Sequence, residues 1–301
     1  MQNILLAGPT GNLGPHLAKA LKNNGKDVFA LVRPKTMADP GKILPLKELG
    51  VHLVEGDLND QPSLEKACKG MDAVISAVGG NEIQLQENLL NAAIKAGVKR
   101  FMPSEFGLDP LACERGTCLL FDAKAGFQKK LKASGMDYTM FYTNGFMEFW
   151  AFGLGELGNS PDSGHVTVFG SGNVNASMTG LPDIARFTVA LLDDPEMKNR
   201  EARLTTNEMT QEALIRLWEK ISDSTVQRMK VTESELNAKI QKAQTESDFS
   251  TLIPAQLHRS VWVYGETMHK RPDVLEATRL YPDLPVQSVE AFFHHISEPV
   301  Y

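Results

Sequence analysis

Cysteine is scarce in the 301 residues: Cys68, Cys113 and Cys118 show neither a CxxC pair nor a CxxC…HxxxH spacing. Neither a disulfide framework nor a zinc cage is indicated, no metal site is expected, and a reducing, cytoplasmic compartment fits best. Positive charge is not in excess, since 31 Lys and Arg against 37 Asp and Glu leave a formal net charge of −6. A broad footprint for nucleic acid or an anionic membrane is therefore not expected. Long apolar runs are missing as well. The opening Ile4-Leu5-Leu6-Ala7 is too short for a signal peptide or a span, and the stretch 146–157 is interrupted by Glu148 and Glu156. No GK[ST], HExxH or GxSxG occurs, which argues against P-loop, metalloprotease and α/β-hydrolase readings. What remains, 42% hydrophobic and 23% charged, is ordinary globular composition with a core that needs no staples.

The organisation shows in a pattern repeated five times, in which a helical stretch ends at glycine and a β-branched or aromatic run follows. Gly25 precedes Val28 to Val32, Gly50 precedes Val51 to Val54, Gly70 precedes Ala73 to Ala77, Gly97 precedes Val98 and Phe101, and Gly135 precedes Tyr138 to Tyr142. Apolar residues recur at helical spacing before them: Leu13, Leu17, Ala20, Leu21; Leu64, Ala67, Cys68, Met71; Leu85, Leu89, Ala92, Ala93. Short strands alternating with one-faced helices predict an α/β fold, a doubly wound parallel sheet of Rossmann type. After about Trp150 the rhythm changes. Gly153, Gly155, Gly158 and the run 159–164 mark an exposed connection. Residues 1–150 are expected to form the dinucleotide-binding domain and 151–301 a smaller substrate lobe, some of whose elements pack back onto the sheet. Within it His165–Phe169 reads as a strand, residues 183–192 as a helix opened by Pro182, and Leu214, Leu217, Trp218 and Ile221 as a helical stripe.

Directly after the first strand stands Gly8-Pro9-Thr10-Gly11-Asn12-Leu13-Gly14, followed by an amphipathic helix. Gly8 permits the tight turn, Gly11 lets backbone approach a pyrophosphate, and Gly14 lets helix and strand pack closely, while the helix N-terminus offers N–H groups to phosphate. The end of the second strand then distinguishes the two nicotinamide dinucleotides. An acidic residue there would suit a ribose 2′-OH, whereas this chain has Leu31-Val32-Arg33, a guanidinium suited to a 2′-phosphate. NADPH is thus the expected cofactor, with Lys42 as a second charge. The strand-end loops 76–80, with Ala77, Val78 and Gly79, and 103–107, with Ser104 and Phe106, should border the nicotinamide, and Asn144 is a further candidate cofactor contact. Asp57 reads as a loop residue near adenine.

For the chemistry, a Tyr-x-x-x-Lys pair is absent: Tyr138, Tyr142, Tyr264, Tyr281 and Tyr301 have no lysine four residues on. His294 and His295 are adjacent and so not on one helix face. The helix around 120–133 carries the remaining candidates. Ala123, Phe127 and Leu131 share a face, Lys129 and Lys132 point away, and Lys124 and Lys130 occupy opposite flanks that periodicity alone does not separate. A lysine partly desolvated beside a cofactor can serve as a base.

Taken together, the glycine loop, Leu31-Val32-Arg33, residues 54–57, residues 98–107 and Phe121-Asp122-Ala123-Lys124 resemble the isoflavone reductase-like group, with its phenylcoumaran benzylic ether reductases, among the NmrA-like atypical short-chain dehydrogenases. Residues 217–221, 280–283 and 289–292 continue the resemblance to nearly the whole chain. It implies an NADPH-dependent reductase of a small aromatic substrate, phenolic, enone-like or quinone-like, with Lys124 as general base or acid. In the family's ether reductases the lysine is thought to deprotonate a phenol, which creates a quinone-methide-like acceptor of hydride. Gln128 departs from the pattern, standing where relatives carry a basic residue, and so do Gly145 and Glu148 in the pocket segment 143–150. Phe146 and Phe149 are candidate substrate contacts, with Trp150 beside them. The rival function is an NmrA-like protein that senses NADP(H) without turnover. A monomer or homodimer is expected.

Overall fold

The computed structural model describes residues 1–297. Five strands, β1 (Asn3–Ala7), β2 (Asp27–Val32), β3 (His52–Glu55), β4 (Ala73–Ser76) and β5 (Arg100–Met102), form a wholly parallel sheet in the order β3-β2-β1-β4-β5. A parallel bridge between Phe101 and Tyr138 carries it on to β6 (Thr139–Tyr142). Arg200–Arg203 and then Leu275–Glu276 add beyond β6, again in parallel. Segments from the distal half of the chain thus complete the sheet begun by the first half.

Alternation along the strands sorts the core into two faces, as a period of two demands. Ile4 and Leu6 point to one face, where α1 (Gly14–Asn23) and the helix Leu181–Asp193 pack. Leu5 and Ala7 point to the other, against Leu64 and Ala67 and against Leu89 and Ala93. These last belong to the helices Gln61–Cys68 and Gln86–Ala96. Phe127 and Leu131, from the helix Leu119–Ala133, cover the same face. All five repeat glycines, Gly25, Gly50, Gly70, Gly97 and Gly135, have φ between 69° and 77°, the left-handed conformation that ends a helix without a side-chain penalty. Met71, grouped by periodicity with the second helix, lies beyond its last turn.

A second core surrounds Trp150, Trp218, Trp262 and Phe293, with His165–Phe169 and Gln227–Val231 paired in parallel beneath the helices Gln211–Ser222 and Phe249–Trp262. The start of the supposed exposed connection belongs to this core. Gly153 and Gly155 are buried, because a Cβ on Gly153 would stand 2.1 Å from the Glu156 carbonyl oxygen and one on Gly155 would stand 2.7 Å from Gln211. Among the described residues, no helix is long and apolar enough to cross a membrane.

Candidate active site

Chain order reverses between β1 and β4, the place where an open α/β sheet offers a crevice at the carboxyl ends of its strands. The first turn of α1 opens there with no side-chain cap, so its N–H groups face the crevice without a side-chain acceptor. Bare backbone makes the floor. A Cβ on Gly8 would lie 2.3 Å from the Ala77 carbonyl oxygen, and one on Gly14 would lie 2.1 Å from that of Gly8. A pyrophosphate fits this cradle because main-chain N–H groups can reach it where side chains have no room.

The end of the crevice beside β2, expected from the sequence to take the adenosine, is lined by Gly8, Thr10, Arg33, Thr36, Asp57 and Glu82, among others. Arg33 leaves the end of β2 with its side chain 61% exposed and reaches Glu82 at 3.1 Å. Lys42 does not line this end. It sits in the helix Pro40–Glu48, exposed, with its ammonium 3.8 Å from Asp39, because the helix start turns it toward its own N-terminal Asp.

The adjoining end, expected to take the nicotinamide, is bordered by Gly11, Asn12, Leu13, Ala77, Val78 and Gly79, with Ser104, Phe106, Lys124 and Phe146 closing it. Ser104 is fixed from both sides: its N–H donates to the Gln86 side chain at 2.8 Å and its hydroxyl donates to the Val78 carbonyl at 2.8 Å. Gln86, buried under the loop, carried no signal in the sequence. Gly14 itself is a packing residue beneath the loop.

A third depression of about 700 Å³ opens from the second, sharing Phe106, Leu120, Lys124 and Phe146 with it and adding Asn144, Phe149, Trp150 and Leu257. Asn144, expected beside the cofactor, lies on this side. Its left-handed backbone (φ 57°) is held by an N–H bond to the Gly107 carbonyl at 3.0 Å and an amide bond to the Leu204 carbonyl at 3.0 Å. Phe146 and Phe149 stack with centroids 6.0 Å apart, and Trp150 packs inward against His258 and Trp262.

Lys124 stands where the two depressions meet. Its side chain is buried, and Nζ donates to the Glu105 carbonyl oxygen at 2.5 Å. Burial holds its ammonium below the usual lysine range, while the nearby Glu105 carboxyl pulls the other way. That carboxyl is itself fully buried, which pushes its pKa up, and Gln128 packs beside it. Lys130 points outward and pairs with Glu87 at 2.5 Å on the surface. The three thiols are free and buried, and burial raises Cys68 to about 12 and Cys118 to about 11, so none is a nucleophile at neutral pH.

Fold and crevice define a dinucleotide-binding Rossmann protein with an apolar pocket beside the crevice and a buried lysine where the two meet. The chain belongs to the NmrA-like family, whose model matches residues 1–293, and within it to the isoflavone reductase-like group. An isoflavone reductase homolog of Nicotiana tabacum is 33% identical over 97% of this chain and 96% of its own. A phenylcoumaran benzylic ether reductase of Pinus taeda is 33% identical over 96% of each. Among solved structures, leucoanthocyanidin reductase from Vitis vinifera with NADPH superimposes with a TM-score of 0.88 at 28% identity, covering 98% of this chain and 99% of that one. AtPrR2 with NADP+ and (+)pinoresinol gives a TM-score of 0.87 at 30% identity, covering 98% of both chains.

Proposed function

We infer that the protein is an NADPH-dependent oxidoreductase of the isoflavone reductase-like group, and propose that it reduces a small phenolic or quinone-like aromatic compound with Lys124 as the proton-transfer residue. The carrying observation is that Lys124 lines both the nicotinamide end of the crevice and the apolar pocket beside it. The cofactor supports are the uncapped first turn of α1, the side-chain-free floor at Gly8, and the guanidinium of Arg33.

Bound NADPH supplies a hydride to the acceptor. The chain supplies the rest. Phe146 and Phe149 offer ring faces on which an aromatic acceptor can lie, and the apolar walls keep water from the reacting atoms. Burial favours the neutral amine of Lys124, which can take the proton of a phenolic hydroxyl at Nζ. The bond to the Glu105 carbonyl fixes Nζ in place and leaves its lone pair and remaining hydrogens for the substrate oxygen. We place the protein in the cytosol, and assign acceptor choice to the pocket wall and the lobe behind it.

The test is a screen for NADPH oxidation over phenolic, enone and quinone acceptors, using cofactor carrying deuterium at the transferable position. Deuterium bonded to product carbon supports the reading. Tight NADPH binding with no turnover across the screen would favour the NADP(H)-sensing alternative instead.

A further inference from the structure

The adenosine end of the crevice has an unexpected charge arrangement for a site that takes a 2′-phosphate. Its lining holds one cation, Arg33, and two carboxylates, Asp57 and Glu82. Arg33 and Glu82 come from opposite walls, the first from the turn after β2 and the second from the short 3-10 turn Gly80–Leu85 that follows β4. Their ion pair, at 3.1 Å, therefore reaches across the mouth of the crevice. A 2′-phosphate arriving at the guanidinium brings close to two negative charges to the place where the Glu82 carboxylate stands. A ribose 2′-OH brings none, and can donate to a carboxylate.

We propose that Glu82 is the counter-ion that a 2′-phosphate must displace from Arg33, so that the two residues together set the preference between NADPH and NADH. This rests on the NADPH reading of the crevice. Arg33 attracts the phosphate, whereas Glu82 both occupies the guanidinium and repels the phosphate. The preference is thereby lower than Arg33 alone would give. Gly80 and Ile83 of the same turn border the nicotinamide end, so moving Glu82 aside is felt along the whole crevice.

Equilibrium binding of NADPH and NADH by fluorescence titration, with no acceptor present, tests this. Glu82→Gln removes the charge at constant shape on an exposed turn. It should tighten NADPH roughly five-fold, the scale of a partly exposed ion pair together with the relieved repulsion, while NADH changes less than about two-fold. Glu82→Asp, which keeps the charge, should stay near the wild type, and the gain should shrink as salt is raised. No gain for NADPH, a loss, or an equal gain for both cofactors would overturn the proposal. Arg33→Ala separates the two readings. If it erases the NADPH preference while Glu82→Gln does nothing, only the role of Glu82 fails; if it leaves the preference intact, the phosphate is not held at Arg33 and both readings fail.

Discussion

Lys124 is tied to Glu105 through the main chain: its ammonium donates to the Glu105 carbonyl oxygen at 2.5 Å while the Glu105 side chain lies buried nearby. The strand-end loop after β5 thereby positions a lysine that its own helix places only at the edge of an apolar face.

Lys124→Met should keep the fold and hold NADPH affinity within a few-fold, yet lower turnover by roughly 10²-fold or more, the usual contribution of a positioned acid or base. In the wild type, activity that needs the neutral amine should rise with pH through a pKa below the ordinary lysine value, since burial favours the uncharged form. That limb should vanish from the pH profile of whatever activity the variant retains. Wild-type turnover in the variant on an established substrate would remove Lys124 from the mechanism.

Gly14→Ala tests the cradle. A Cβ there meets the Gly8 carbonyl oxygen at 2.1 Å and Pro9 backbone at 2.6 Å, so α1 must shift away from the loop. Thermal unfolding should show a loss of roughly 2 kcal/mol or more, and titration should show weakened NADPH and NADH alike, because the pyrophosphate contact common to both is what moves.

Phe146→Ala should raise KM or lower kcat/KM for a bulky aromatic acceptor. Phe146 borders both depressions, so NADPH titration is the control: affinity near the wild-type value places the ring on the acceptor side. An equal loss of cofactor affinity and turnover would assign the ring to the cofactor crevice.

His258 controls acid stability rather than chemistry. Its ring is stacked on Phe169 at 4.1 Å and its Nε2 accepts from the Leu157 N–H at 2.9 Å, and burial lowers its pKa from 6.5 to about 3. Between those values the unfolded chain binds a proton that the folded chain refuses. Stability is therefore full above pH 6.5 and falls as pH drops toward 3, by up to about 1.4 kcal/mol per unit from this group. His258→Gln, which retains an acceptor for Leu157 but does not titrate, should lose stability less steeply over that range in chemical denaturation. Parallel slopes for the two proteins would refute the assignment.

The pattern of glycines and one-faced helices made the first half of the fold readable, because both signals are local. The flanking lysines of the helix Leu119–Ala133 were not separable for the opposite reason. Each lies equally far round the helix from its apolar face, and only the loop 103–107 folding over one side buries Lys124 while Lys130 meets Glu87. Glu82 offered no signal, since an acidic residue in a turn has the appearance of a solvated one. Arg200–Arg203 was invisible as a strand because three of its four residues, Arg200, Glu201 and Arg203, are charged. It is buried only through partners brought from elsewhere, with Glu201 paired to Lys132 and Arg271 and accepting from the Tyr142 hydroxyl.

That returning strand has a consequence for how the protein is made. The outer edge of β6 stays unpaired until Arg200–Arg203 emerge from the ribosome, and they in turn lack a neighbour until Leu275–Glu276 follow. A nascent chain stalled near residue 150 therefore carries a helix-covered sheet with an open flank, a template for pairing with another chain. For the same reason, a distal half transplanted from a relative by one splice near residue 150 brings its own copies of both strands, and these must then pair with the edge of the host's β6.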